Sequence, residues 1–133
     1  MALDFSSFEK ALASLKKAHQ RALQNPQDEE LRDASIQRFE YTFELAWKML
    51  KRQIQLEEGN SAEVDSYSKK TLFRVGGEKG LIQKSESWFE YLEKRNRTVH
   101  TYDPEEAIEV FAVIENFIKD ADDLILKLKT RNA

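Results

Sequence analysis

Apolar side chains recur along most of this 133-residue chain at steps of three, four or seven residues, the spacing of one face of an α-helix. Few residues interrupt the pattern, because the chain has only two prolines and four glycines. No strand-like alternation and no internal repeat accompany it. The most pronounced stripe mixes aromatic and aliphatic residues: Ile36, Phe39, Phe43, Ala46, Trp47, Leu50 and Ile54. The sequence therefore predicts an all-α protein, in which this aromatic row packs in the core rather than stacking on bases.

Helix start and stop signals divide the periodic segments into four long helices and one short helix. The predicted helices cover about Asp4–Leu23, Asp28–Glu57, Ser68–Val75, Ser85–Val99 and Pro104 to the last residues. Asn25-Pro26 and Gly59-Asn60 are predicted to end the first two helices. Residues 61–66 are predicted to form a polar connection. The glycines that follow Val75 are interpreted as helix termination, because neither a preceding strand nor a Gly-Lys-Ser/Thr sequence marks them as a phosphate loop.

The last helix has the strongest start signal. Asp103 is predicted to cap it, Pro104 to take its first position and Glu106 to complete a capping box. Its inner stripe is predicted to contain Ala107, Phe111, Ile114, Ile118, Ala121, Ile125 and Leu128. In the preceding helix, Trp88, Leu92 and Val99 are predicted to point inward. The expected architecture is an antiparallel up-and-down four-helix bundle with one additional short helix, forming a single domain over residues 1–133.

The composition excludes several classes of site. Without cysteine the chain can form no disulfide, zinc-thiolate site or cysteine nucleophile. One of its two histidines, His19, lies on the apolar stripe of the first helix and is interpreted as a packing residue, because no second ligand lies near it. No metal or cofactor is expected. The N-terminus resembles no secretory signal, and no apolar run is long enough to span a membrane. A soluble, cytoplasmic protein without membrane contact is therefore expected.

Positive charge is concentrated in one part of the chain. The net charge is −3, but the segment from Ser66 to Tyr102 carries +4 and the remainder −7. A local excess of positive charge suits a polyanionic partner. The alternative is a mixed, solvated face that binds nothing.

The same segment contains a compact polar motif, Arg95-Asn96-Arg97-Thr98-Val99-His100-Thr101-Tyr102. In a continuous helix Arg95 and His100 would lie about 140° apart. Because Pro104 disfavours helical geometry at the residue before it, the helix should end near Val99 or His100. We therefore expect the chain to turn at this point and to aim His100 and Tyr102 back towards Arg95.

These residue types suit phosphate chemistry. A guanidinium such as that of Arg95 binds phosphate oxygens in a bidentate manner and stabilises charge that develops on phosphorus. A histidine such as His100 transfers protons near neutral pH. One histidine is too few for separate acid and base roles, so a symmetric dimer that pairs two motifs is expected.

The pattern Arg-x4-His-x-Tyr in a small helical chain resembles the HEPN superfamily, and more closely its HepT branch, the nucleotidyltransferase substrate-binding proteins. The resemblance also covers the aromatic second helix, the Gly-Leu-Ile sequence at residues 80–82 and Trp88. It implies a helical bundle and a homodimeric, metal-independent endoribonuclease with Arg95 and His100 as catalytic residues and RNA as substrate. Asn96 and Arg97 are candidates for substrate binding.

The resemblance further implies a toxin-antitoxin type of gene pair. A cognate minimal nucleotidyltransferase would silence the ribonuclease by adenylylating Tyr102. Two alternatives stay open. The chain is a non-catalytic subunit that binds substrate or nucleotide for such a nucleotidyltransferase, or it is a helical interaction module in which Arg95 and His100 form a structural hydrogen-bonded pair.

Overall fold

A computed structural model describes residues 3–133, and the secondary structure of these residues is helical. The α-helices are α1 (Ser6–Gln24), α2 (Glu29–Glu58), α3 (Ser61–Asp65), α4 (Lys69–Glu78), α5 (Ser85–Asn96), α6 (Pro104–Ala112) and α7 (Ile114–Arg131). A 3-10 turn, Thr98–His100, lies between α5 and α6. The fold class is therefore all-α, as predicted. None of the helices formed by residues 3–133 combines the length and apolar character that crossing a bilayer requires.

Helix α2 is the centre of the bundle, because it contacts α1 along most of its length and also packs against α4, α5, α6 and α7. The largest buried side chains include an aromatic cluster around it: Phe39, Phe43, Phe73, Trp88 and Phe117. The aromatic row of α2 is core, as predicted, with one exception. Trp47 is only partly buried, and it lies at the edge of the bundle.

Local capping signals account for several helix ends. The Asp28 carboxylate accepts hydrogen bonds from the first turn of α2, and Ser68 caps α4 in the same way. Gly59 ends α2 in the left-handed conformation, with φ of 71°. Asn60 then accepts from the backbone N–H of Glu63 and so starts α3. Residues 61–66 were predicted to be a polar connection, which is wrong, because this cap and the buried side chain of Val64 together hold a short helix.

Two of the three glycines after Val75, Gly76 and Gly77, do not end the helix, contrary to the prediction. Helix α4 continues through Gly76 and Gly77, where neighbouring elements approach too closely for a side chain. A Cβ on Gly76 would lie 3.2 Å from the Leu50 methyl groups. The helix ends at Glu78, and Gly80, whose φ is 75°, closes the turn that follows, with backbone N–H bonds from Gly80 to the Gly77 carbonyl and from Leu81 to the Gly76 carbonyl. The prediction that glycine ends this helix therefore holds for Gly80.

The C-terminal helix was predicted to be continuous, which is wrong. At Val113 the backbone N–H bonds to the carbonyl three residues earlier, at Val110, and this tightened turn separates α6 from α7. Of the predicted stripe, Phe111 and Ile118 are only partly buried, whereas the other five residues are buried: Ala107, Ile114, Ala121, Ile125 and Leu128. Val110, Phe117 and Leu124, which were not predicted, complete the buried face.

Candidate functional site

The polar motif lies where α5 ends and the chain turns into α6. Helix α5 ends at Asn96, three residues earlier than predicted. The Thr98 hydroxyl donates to the Arg95 carbonyl over 2.8 Å, and the 3-10 turn that follows places Thr98 inside the protein. Val99, predicted to point inward, is instead 68 % exposed. The tightened turn rotates the side chains relative to a continuous α-helix, which explains the error.

Backbone and capping hydrogen bonds hold this turn in place. The His100 N–H donates to the Arg97 carbonyl over 2.9 Å, and the Asp103 N–H donates to the His100 carbonyl over 3.0 Å. Asp103 caps α6 by accepting from the Glu105 N–H, as the sequence predicted, and Pro104 occupies the first turn. The motif is therefore attached to two helices through a turn of defined geometry.

Arg95 is the inner residue of the motif, and its side chain is only 25 % exposed. Its Nε donates to Oε1 of Glu44 over 3.1 Å, which joins α5 to α2. Its Nη2 lies 3.9 Å from the Glu40 carboxylate, and its Nη1 makes a long contact of 3.5 Å to the Thr98 hydroxyl. The guanidinium therefore has one well-formed ionic hydrogen bond and two weak contacts.

The carboxylate of Glu44 is itself fixed by a neighbour. Its second oxygen, Oε2, accepts a 3.0 Å hydrogen bond from the indole Nε1 of Trp47. Lys69 on α4 covers the other side of this indole, with its Nζ 4.8 Å from the ring centre. Glu40 and Glu44 were not among the predicted site residues. The only signal was two carboxylates spaced one helical turn apart beside a tryptophan.

His100 and Tyr102 lie on the outside of the turn. Both side chains are exposed, Tyr102 to 84 %, and their ring centres are 6.2 Å apart. Among residues 3–133 no hydrogen bond joins His100 to Arg95, so the described part of the chain does not contain the structural pair that one alternative required. Arg95 is thus the inner residue of the motif and His100 and Tyr102 are the outer ones, and no described contact joins either ring to Arg95, contrary to the expectation that both turn back towards it.

The two candidate substrate-binding residues differ in their surroundings. Asn96 is exposed and lies at one end of an open groove of about 700 Å³ along α5, which is also lined by Lys70, Phe89 and Lys94. Arg97 is partly exposed and pairs with Glu106 over 3.4 Å. Glu106 therefore does not form the predicted capping box, because its carboxylate faces Arg97 rather than the cap.

His19 lies away from the motif. It is buried in α1, and its ring packs 5.3 Å from that of Phe111. Burial lowers the pKa of His19, and the nearby Glu115 carboxylate opposes this only in part. This is the packing role that the sequence predicted. Among residues 3–133 no group of three or more His, Asp or Glu side chains is arranged to hold a metal ion.

Comparison with known proteins identifies relatives over nearly the whole chain. Residues 3–130 match the family described as nucleotidyltransferase substrate binding protein like. A protein from Haemophilus influenzae named "Probable ribonuclease HepT" is 39% identical over 98 residues, which are 74% of this chain and 67% of the relative.

Two solved structures have the same fold. One, also from Haemophilus influenzae, is described as revealing the fold of a substrate binding domain of a nucleotidyltransferase. It superimposes with a TM-score of 0.88 at 30% sequence identity, and the match covers 95% of this chain and 99% of that one. The other is a Thermus thermophilus protein with a TM-score of 0.78 at 32% identity, covering 92% and 98%. The motif, the bundle and these relatives agree: the chain is a HepT-like member of the nucleotidyltransferase substrate-binding protein family.

Proposed function

We propose that this protein is a homodimeric, metal-independent endoribonuclease in which Arg95 and His100 carry out the reaction. The observation that carries the proposal is the arrangement at the end of α5, where an anchored guanidinium is followed by an exposed imidazole on a hydrogen-bonded turn. The name of the Haemophilus influenzae relative supports the same activity.

Cleavage would use the ribose 2′-hydroxyl of the RNA as nucleophile. Its oxygen bonds to the adjacent phosphorus while the bond from phosphorus to the 5′-oxygen breaks, so that a 2′,3′-cyclic phosphate and a 5′-hydroxyl end are formed. His100 transfers a proton on one side of this reaction, and Arg95 stabilises the negative charge on the phosphoryl oxygens. The His100 of a second protomer would transfer the proton on the other side, so the active site requires a dimer.

The proposed regulation acts through Tyr102. Its exposed phenol oxygen attacks the α-phosphorus of ATP held by a partner nucleotidyltransferase, pyrophosphate leaves, and the phenol proton is lost. The AMP group that remains adds bulk and negative charge to the turn that carries His100, and it repels an incoming RNA phosphate. The protein would thus be the toxin of a two-gene system and function in the cytoplasm.

Cleavage of RNA in the presence of EDTA tests the activity. Wild-type protein is expected to leave cyclic phosphate ends, and Arg95→Ala and His100→Ala to lower the rate by about 100-fold or more, with unchanged circular dichroism. Arg21→Ala, on α1 and outside the motif, removes a positive charge as Arg95→Ala does. It is the matched control and should leave the rate of cleavage unchanged. Full activity of His100→Ala, or products with 3′-hydroxyl ends, would contradict the proposal.

A second candidate function is a non-catalytic subunit that presents substrate or nucleotide to a nucleotidyltransferase. Two observations favour it: the description of the solved Haemophilus influenzae structure, and the two carboxylates that surround the single guanidinium of Arg95. It predicts binding of a nucleotidyltransferase and no cleavage of RNA by the wild-type protein. A pull-down with the partner enzyme, together with the cleavage assay, separates the two functions.

A further inference from the structure

We propose that Glu44 is a positioning residue for Arg95. It would hold the guanidinium through Nε and leave the two terminal nitrogens, Nη1 and Nη2, for a substrate phosphate. This inference rests on the proposed function for its substrate, but the contact itself can be tested without RNA.

The three nitrogens of the Arg95 guanidinium differ in their contacts. Nε is engaged by Glu44 at 3.1 Å, whereas Nη1 and Nη2 have only contacts of 3.5 Å and 3.9 Å. Nη1 and Nη2 together form one edge of the planar group, and this edge can bind two oxygens of one phosphate. The strong contact is thus on a different nitrogen from those that a phosphate would use.

The Glu44 carboxylate is itself held in place. One of its oxygens accepts from Arg95 and the other from the Trp47 indole, so each oxygen has one donor and the carboxylate cannot rotate without losing a bond. Both Glu44 and Trp47 lie within α2, the 30-residue helix at the centre of the bundle. An arginine side chain is otherwise flexible, and fixing it before substrate binds removes an entropic cost of the reaction.

Glu40 lies one helical turn before Glu44. Its carboxylate is 3.9 Å from Nη2 and is 43 % exposed, too distant for a hydrogen bond. It contributes negative charge near the guanidinium but does not orient it. Glu40 therefore serves as a matched control, because it has the same charge and the same helix but lacks the bond.

The test compares Glu44→Gln with Glu40→Gln. A glutamine amide has an acceptor oxygen on one side and a donor nitrogen on the other, so it cannot accept from Arg95 on one atom and from Trp47 on the other, as the Glu44 carboxylate does. We expect Glu44→Gln to lower kcat/KM for a short single-stranded RNA by about 10- to 100-fold, and Glu40→Gln to change it by less than about threefold. In the Arg95→Ala background Glu44→Gln should cause no further loss, since Glu44 acts through Arg95. Full activity of Glu44→Gln, or a further loss in that background, would overturn the proposal.

A structural measurement keeps this outcome separate from the proposed activity. In 1H-15N spectra of arginine side chains, the Arg95 Nε–H should exchange slowly with water in the wild type and in Glu40→Gln, but rapidly in Glu44→Gln. Trp47→Phe, which removes only the indole donor, should give intermediate exchange. Rapid exchange in the wild type would refute the positioning role whatever the RNA assay shows. Slow exchange in a protein that cleaves no RNA would refute the proposed ribonuclease and leave the Glu44–Arg95 contact in place.

Discussion

The rings of His100 and Tyr102 lie 6.2 Å apart and meet edge to face on the exposed turn between α5 and α6. The pair occupies the outer side of that turn, and Arg95 occupies its inner side. A group attached to the Tyr102 oxygen would therefore lie close to the imidazole. This proximity links the proposed chemistry to its proposed regulation.

The first prediction concerns the tyrosine that accepts AMP. Of the chain's four tyrosines, Tyr102 is 84 % exposed and Tyr91 only 3 %, and the Tyr91 hydroxyl donates to Asp120. Burial, together with that carboxylate, also raises the pKa of Tyr91, so its phenol is a poor nucleophile. Co-expression with the partner nucleotidyltransferase should place AMP on Tyr102 and abolish RNA cleavage. Intact mass and peptide mapping measure this.

Two substitutions control this experiment. Tyr102→Phe should retain cleavage and resist silencing. Tyr41→Phe changes a tyrosine that is 40 % exposed on α2, and it should still be modified at Tyr102. AMP found on Tyr41 or Tyr67 of the wild-type protein would contradict the assignment.

The second prediction is a dimer. A single exposed histidine per chain cannot act at once as acid and base, so two motifs are needed at one site. Light scattering should give twice the 15.6 kDa chain mass at micromolar concentration. Mixing inactive His100→Ala with wild-type protein should lower the activity by more than dilution does, because mixed dimers form. A monomer that retains cleavage would rule out the composite site.

The third prediction concerns stability at acid pH. The buried His19 has a folded pKa below its ordinary value of 6.5. Well above pH 6.5 the imidazole is neutral in the folded and in the unfolded chain. As the pH falls through 6.5, the unfolded chain takes up a proton that the folded chain takes up only at lower pH. The free energy of unfolding therefore decreases until the pH is below the folded pKa.

Urea denaturation of wild type and His19→Leu at several pH values measures this contribution. The wild type should lose more stability than the variant between pH 7.5 and pH 5. Removing the opposing carboxylate with Glu115→Gln should increase the loss. Parallel pH profiles for wild type and His19→Leu would contradict the burial of a neutral imidazole.

The fourth prediction concerns the close approach of α4 and α5. A Cβ on Gly77 would lie 2.4 Å from the Ser85 hydroxyl, which donates to the Phe73 carbonyl. Gly77→Ala should displace that hydroxyl and destabilise the protein by about 1 kcal/mol or more, from the lost hydrogen bond and the strain. In the Ser85→Ala background the same change should instead stabilise it by up to about 1 kcal/mol, because alanine is the better helix former. Equal effects in both backgrounds, measured by chemical denaturation, would disprove the contact.

Much of the fold was predictable because the signals are local. Asp28, Gly59 and the Asp103-Pro104 pair set helix ends through hydrogen bonds and dihedral angles within a few residues, and the aromatic period of α2 marks its buried face. The position of the motif at a helix end followed from Pro104 in the same way. These interactions are already defined by the neighbouring residues, whatever the rest of the chain does.

Contacts between distant residues decided the rest. Gly76 and Gly77 resemble a helix end in the sequence, but they lie within α4, where Leu50 and Ser85 leave little room for a side chain. The bond from Arg95 to Glu44 spans 51 residues, and no spacing rule selects that partner among the chain's many carboxylates. Local hydrogen bonding determines where a helix begins and ends. Only the packing of whole helices determines which side chains come into contact, because each contact depends on the relative placement of two helices.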